Sequence, residues 1–146
     1  MFKCDFPWQE RLGWLTDYVP SGEISPVPLD DLARKITYYM WLGFQEGIVY
    51  EDYGSENAPQ DAFVQLQGGK GFYVCKITPC DLWMRGAVYG FRKWVMPKGV
   101  LHYMIDHNWR PAEEFLEAVA ELPDAPEFTI PSWFVDIERK VLPFTD

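Results

Sequence analysis

Residues 62–78 read AFVQLQGGKGFYVCKIT. Ala62 to Gln67 and Phe72 to Thr78 are rich in the apolar, aromatic and β-branched residues that favour strands. The Gly68-Gly69-Lys70-Gly71 between them is turn chemistry. The segment reads as a hairpin, so the first sheet contact is local and antiparallel. A phosphate-binding loop is the weaker reading, because such a loop needs a longer glycine frame, a hydroxyl after the lysine and a following helix.

Upstream, Asp30 and Asp31 place acids at the positive end of a helix in which Leu32, Ala33, Ile36, Tyr39, Met40 and Gly43 recur at spacings of three and four until Gly47. Residues 1–28 carry Trp8, Trp14 and four prolines and are expected to pack onto the core, with a helical turn or two around 9–18. Ile48 to Tyr50 reads as a short strand leading into an acidic loop.

Downstream, Thr78 and Pro79 suit a helix start, and Leu82, Trp83, Ala87, Val88, Phe91, Trp94 and Val95 continue a helical stripe to Pro97, although Gly86 and Gly90 weaken it. A strand from Val100 to Ile105, a helix from Pro111 to Leu122, an edge strand at Phe128 to Ile130 and a last helix from Trp133 to Leu142 complete the pattern. The expected architecture is α+β, a single domain over residues 1–146 with a three- to four-stranded, mostly antiparallel sheet and about four helices.

Composition supports one ordinary core. The chain has 146 residues, 48% of them hydrophobic and 24% charged, which excludes disorder and low complexity. A chain of this mass can remove about 17,000 Å² from water, so its 25 aromatic residues can mostly be core. The longest uncharged run, Ile36 to Gln45, is too short to span a membrane. Three cysteines make no disulfide framework, and a reduced, cytoplasmic setting is expected.

Charge is unevenly spread. Residues 62–110 carry seven bases and two acids, whereas the rest of the chain carries twenty acids and six bases. Five acids and no base lie between Glu46 and Asp61, and six acids and no base between Glu113 and Glu127. Tyr50, Glu51, Asp52, Tyr53 and Glu56 combine carboxylates with tyrosines that can bury area at an interface. Glu113, Glu117 and Glu121 stack at successive i, i+4 positions, with Glu114 beside them. The expected helix offers them no lysine, so their repulsion calls for cations elsewhere, either Arg85, Arg92 and Lys93 or another molecule.

These features favour a non-enzymatic domain that binds a basic protein, in the manner of an inhibitor or immunity-type factor, through those nine residues. No cofactor is expected, G-x-S-x-G and H-E-x-x-H are both absent, and the oligomeric state is left open.

Two alternatives belong to other classes. Cys75 and Cys80, then His102 and His107, form a C-x4-C and an H-x4-H pair whose thiols and imidazoles match tetrahedral zinc chemistry, although 21 residues separate the pairs. The same residues allow a cysteine-dependent enzyme: Cys80 at a helix start as nucleophile, a histidine as base, Asp106 orienting it. Finally, the basic segment 70–98 interleaves cations with Phe72, Tyr73, Trp83, Tyr89 and Trp94, as single-strand nucleic-acid binders do; the overall acidity disfavours it.

Overall fold

A computed structural model describes residues 10–11, 24–46, 61–67, 72–75, 80, 82–85, 87–92, 94–137 and 141–145. In chain order these form β1 (Glu10–Arg11), α1 (Asp30–Gln45), β2 (Val64–Gln67), β3 (Phe72–Val74), β4 (Trp83–Arg85), β5 (Val88–Phe91), β6 (Trp94–Pro97), α2 (Val100–Asp106), α3 (Glu113–Glu121), β7 (Ile130–Pro131) and β8 (Phe144–Thr145). The main sheet has the order β1-β6-β5-β2, antiparallel except for the parallel β1–β6 pair. β3 and β4 make a separate antiparallel hairpin, and β7 and β8 a short parallel pair. Helix and strand are therefore mixed as expected of an α+β protein, with three helices among the described residues.

Helix α1 follows its sequence pattern. Ala33, Ile36, Met40 and Gly43 are buried along one stripe, and Asp30 and Asp31 occupy the first turn. Gly43 is there for close approach: a Cβ at this position would run into the backbone carbonyl of Phe63. That approach lets α1 lie against the chain entering β2. Phe63 in turn stacks on Phe91 of β5 at 4.4 Å, and Phe115 of α3 meets the edges of Phe91 and Trp94. One apolar core thus joins α1, α3 and the sheet.

The segment from Thr78 to Pro97 corrects the expected helix. It holds β4, β5 and β6 instead. All four residues of β5 are buried, so the alternation that marks a half-exposed strand is missing. Gly90, a poor helix residue, is accommodated in this central strand. Phe91 at the end of β5 pairs with Trp94 at the start of β6, and Arg92, just after β5, takes φ 50°. Tight hairpins require such left-handed residues and usually signal them with Asn or Gly; here arginine hides the turn. Trp83, expected on the core stripe, is 65% exposed.

The run Val100 to Ile105 corrects in the other direction, from strand to helix. Its six residues, VLHYMI, are all buried in α2. A short helix enclosed on every side shows no 3.6-residue period, and its letters are those of a buried strand. The pairing of the hairpin is also corrected: β2 joins β5 and β3 joins β4, and Gly68 to Gly71 lie outside the described residues.

Residues 133–137 and 141–142 are not helical. The Phe134 N–H donates to the Pro131 carbonyl at 3.0 Å, making a turn that returns the ring to the core. The expected Phe128 to Ile130 strand is displaced to β7. The expected strand at 48–50 lies outside the described residues, as does most of the expected turn around 9–18, of which Glu10–Arg11 is strand β1. Among the described residues no helix is long and apolar enough to cross a membrane.

Candidate metal centre

Two parts of this fold meet around four side chains. Cys75 immediately follows β3, and its N–H donates to the Leu82 carbonyl at 2.8 Å, extending the β3–β4 ladder by one step. Cys80 lies in the connection that leads to β4. His102 sits in the middle of α2, and His107 caps the C-terminal end of that helix. Asn108 then takes φ 52°, a left-handed conformation that asparagine tolerates, and the Trp109 N–H reaches back to the Tyr103 carbonyl at 2.9 Å. The helix end is thereby fixed where the His107 ring faces His102, with centroids 4.8 Å apart and planes near perpendicular.

The ligand-type atoms of Cys75, Cys80, His102 and His107 all lie within 4.8 Å of one another. Cys75 Sγ is 3.4 Å from His107 Nε2, Cys80 Sγ is 3.3 Å from His102 Nε2, and the two Nε2 atoms are 3.2 Å apart. A zinc ion with ordinary bond lengths to two sulfurs and two nitrogens sets tetrahedral edges of about 3.3 Å for N···N and about 3.6 Å for N···S. The three separations are close to those edges. Cys75 and His102 are buried, and Cys80 and His107 are partly exposed.

Behind this group, His102 Nδ1 lies 2.8 Å from Asp106 Oδ2, one helical turn along α2. An ionised carboxylate only accepts, so Nδ1 carries the proton and the Nε2 lone pair points at the cluster. The Asp106 side chain is itself 9% exposed, which shields this hydrogen bond from water. Asp106 is thereby placed to orient the His102 ring.

The cysteine-enzyme reading loses its helix: Cys80 precedes a strand, not a helix N-terminus. Cys75 likewise stands at a strand end rather than in mid-strand.

The acidic residues are elsewhere. Tyr50, Glu51, Asp52, Tyr53 and Glu56 lie outside the described residues. Glu113, Glu114, Glu117 and Glu121 are exposed on α3. Arg110 pairs with Glu113, while Arg92 reaches Glu121 at 3.4 Å and Asp61 at 3.0 Å. Arg92 thus supplies part of the expected compensation; Lys93 and the Arg85 side chain lie outside the description. Among the described residues Glu117 has no cationic partner. In the basic segment, Tyr89 and Trp94 are buried in the core, and Lys98 Nζ lies 4.7 Å from the centre of the Phe134 ring.

Sequence reasoning missed one surface. Phe44, Gln65, Tyr89, Lys98, Trp133 and Phe134 line a cleft whose two rim aromatics, Phe44 and Trp133, are 40% and 52% exposed. Their clustering depends on the turn at 132–134, where the sequence pattern predicts a helix starting at Trp133. Phe44 falling off the buried stripe of α1 was the available signal.

Fold and side-chain cluster together describe an α+β protein with a Cys2His2 ligand group. The chain belongs to the family described as domain of unknown function DUF7919, which matches residues 5–120 and so includes all four cluster residues and Asp106. No curated protein and no solved structure matches it.

Proposed function

We propose that this protein is a zinc-binding scaffold in which one ion, held by Cys75, Cys80, His102 and His107, ties the β3–β4 hairpin to helix α2. The observation that carries the reading is the convergence of two thiols and two imidazoles at near-tetrahedral separations, with the Asp106 carboxylate behind one imidazole. Two sulfurs and two nitrogens in tetrahedral array select zinc among common divalent ions. Four protein ligands close the coordination sphere and leave no position for substrate, which assigns the ion a structural role. The hairpin has reason to need it, because a two-stranded ribbon is marginal on its own and, among the described residues, β3–β4 shares no ladder with the main sheet.

Elemental analysis of chain purified without chelator tests the reading. One zinc per chain, lost in the Cys75→Ser/Cys80→Ser variant, is expected. Absence of zinc, together with no uptake of cobalt(II) by the reduced protein, rejects it.

A second reading concerns what such a scaffold displays: binding of a basic protein, in the manner of an inhibitor or immunity-type factor. It is supported by Glu117, exposed between Glu113 and Glu121 without a cation among the described residues, and by the base-free acidic block at 46–61. Complementary charge raises association rates most at low salt. Capture of a basic partner by the native chain, slowed by Glu117→Lys and by Glu51→Lys/Asp52→Lys, supports this reading; unchanged association rates reject it.

A further inference from the structure

We infer that Cys75 and Cys80 are also a reversible oxidation site, at which conversion of the two thiolates to a disulfide releases the ion and unlatches the hairpin from α2. The inference rests on the zinc reading and deepens it. It follows from how the ligands are divided. Both sulfurs come from the β3–β4 hairpin, and both imidazoles come from α2 and its cap. Only four residues separate the cysteines in sequence, and their Sγ atoms lie within 4.8 Å of each other. A bond between them closes a small ring inside the hairpin. It makes no connection to α2. Oxidation therefore exchanges a clamp between two elements for a staple within one.

Access is graded in the way such chemistry requires. Cys80 is partly exposed and Cys75 is buried, so a small peroxide meets Cys80 first. The Cys80 thiolate attacks one peroxide oxygen, the O–O bond breaks, and hydroxide leaves as the sulfenic acid forms. The Cys75 thiolate then attacks the Cys80 sulfur, the S–O bond breaks, and a second hydroxide leaves. Two electrons pass from the sulfurs to the peroxide; one disulfide and two hydroxides result. Two imidazoles remain for the zinc, half of its ligand set, and the ion departs to solvent. A thiol reductant and zinc restore the clamp.

The test uses the full chain carrying Cys4→Ser, which removes the third cysteine, loaded with zinc and verified to hold one ion. One equivalent of hydrogen peroxide is added in the presence of a chromogenic zinc indicator. Expected are release of zinc in step with a loss of about 2 Da, a Cys75–Cys80 disulfide in the peptide map, and recovery of the bound ion after dithiothreitol and zinc. Faster exchange of the amides of β3 and β4 accompanies release. Zinc retained under tenfold peroxide, or released with sulfinic acid in place of the disulfide, overturns the inference while leaving the metal reading intact. A chain that never binds zinc overturns both.

Discussion

His102 Nδ1 and Asp106 Oδ2 stand 2.8 Å apart on one face of α2, and this single hydrogen bond decides which nitrogen of His102 can meet a metal. Carboxylates behind metal-bound histidines hold the ring orientation and raise its basicity, and their loss typically weakens binding 10- to 100-fold. Asp106→Ala is expected to fall in that range. Asp106→Asn, which keeps an acceptor but loses the charge, should fall nearer its lower end. Competition against a chelator of known affinity reads both, with circular dichroism to confirm that the variants fold.

Removal of the ion should act locally. Amides in β3 and β4 are expected to exchange faster in chelator-treated protein, while those of α1, β5 and β6 stay protected, because local stability follows the elements that share contacts. Met84, buried in β4, limits the effect to loosening rather than full release. Hydrogen exchange read by mass spectrometry distinguishes this from global unfolding, in which all elements accelerate together.

How much of this was legible in the letters differs from element to element. Helices α1 and α3 were, because each has a polar face that sets off its buried stripe. Helix α2 and strand β5 were not, because both are enclosed and periodicity vanishes when every side chain is inside. The same limit affected the site. Spacing identified Cys75, Cys80, His102 and His107 as ligand types, but their meeting depends on α2 packing beside a hairpin whose strands lie 15 or more residues earlier in sequence. A strand assignment for His102 and a helix assignment for Cys80 gave no reason for the pairs to converge.

Gly43 is where α1 approaches the backbone of Phe63 at the entry to the main sheet. Gly43→Ala places a methyl group against the Phe63 carbonyl, where rigid backbone must yield. Overpacking of this kind costs about 1–3 kcal/mol. Urea denaturation should show that loss, with the zinc content of the folded fraction unchanged.

Tyr89 is expected to make the fold less stable at alkaline pH. Burial raises its phenol pKa well above the ordinary value of 10.0, since the core disfavours the phenolate, and its hydroxyl donates to Gln65 Oε1 at 3.5 Å. The folded state thus keeps a proton that the unfolded chain gives up near pH 10. Stability from this group is complete below pH 10 and declines as pH rises above it. Tyr89→Phe is expected to flatten the decline between pH 10 and 11.5, measured as the difference in denaturation midpoint from the parent chain.

The most direct measurement is X-ray absorption at the zinc edge of the loaded protein. Two sulfur neighbours at about 2.3 Å and two imidazole nitrogens at about 2.0–2.1 Å are predicted. A shell of oxygen neighbours without sulfur, or an ion coordinated through only one histidine and water, contradicts the assignment of the closed Cys2His2 clamp.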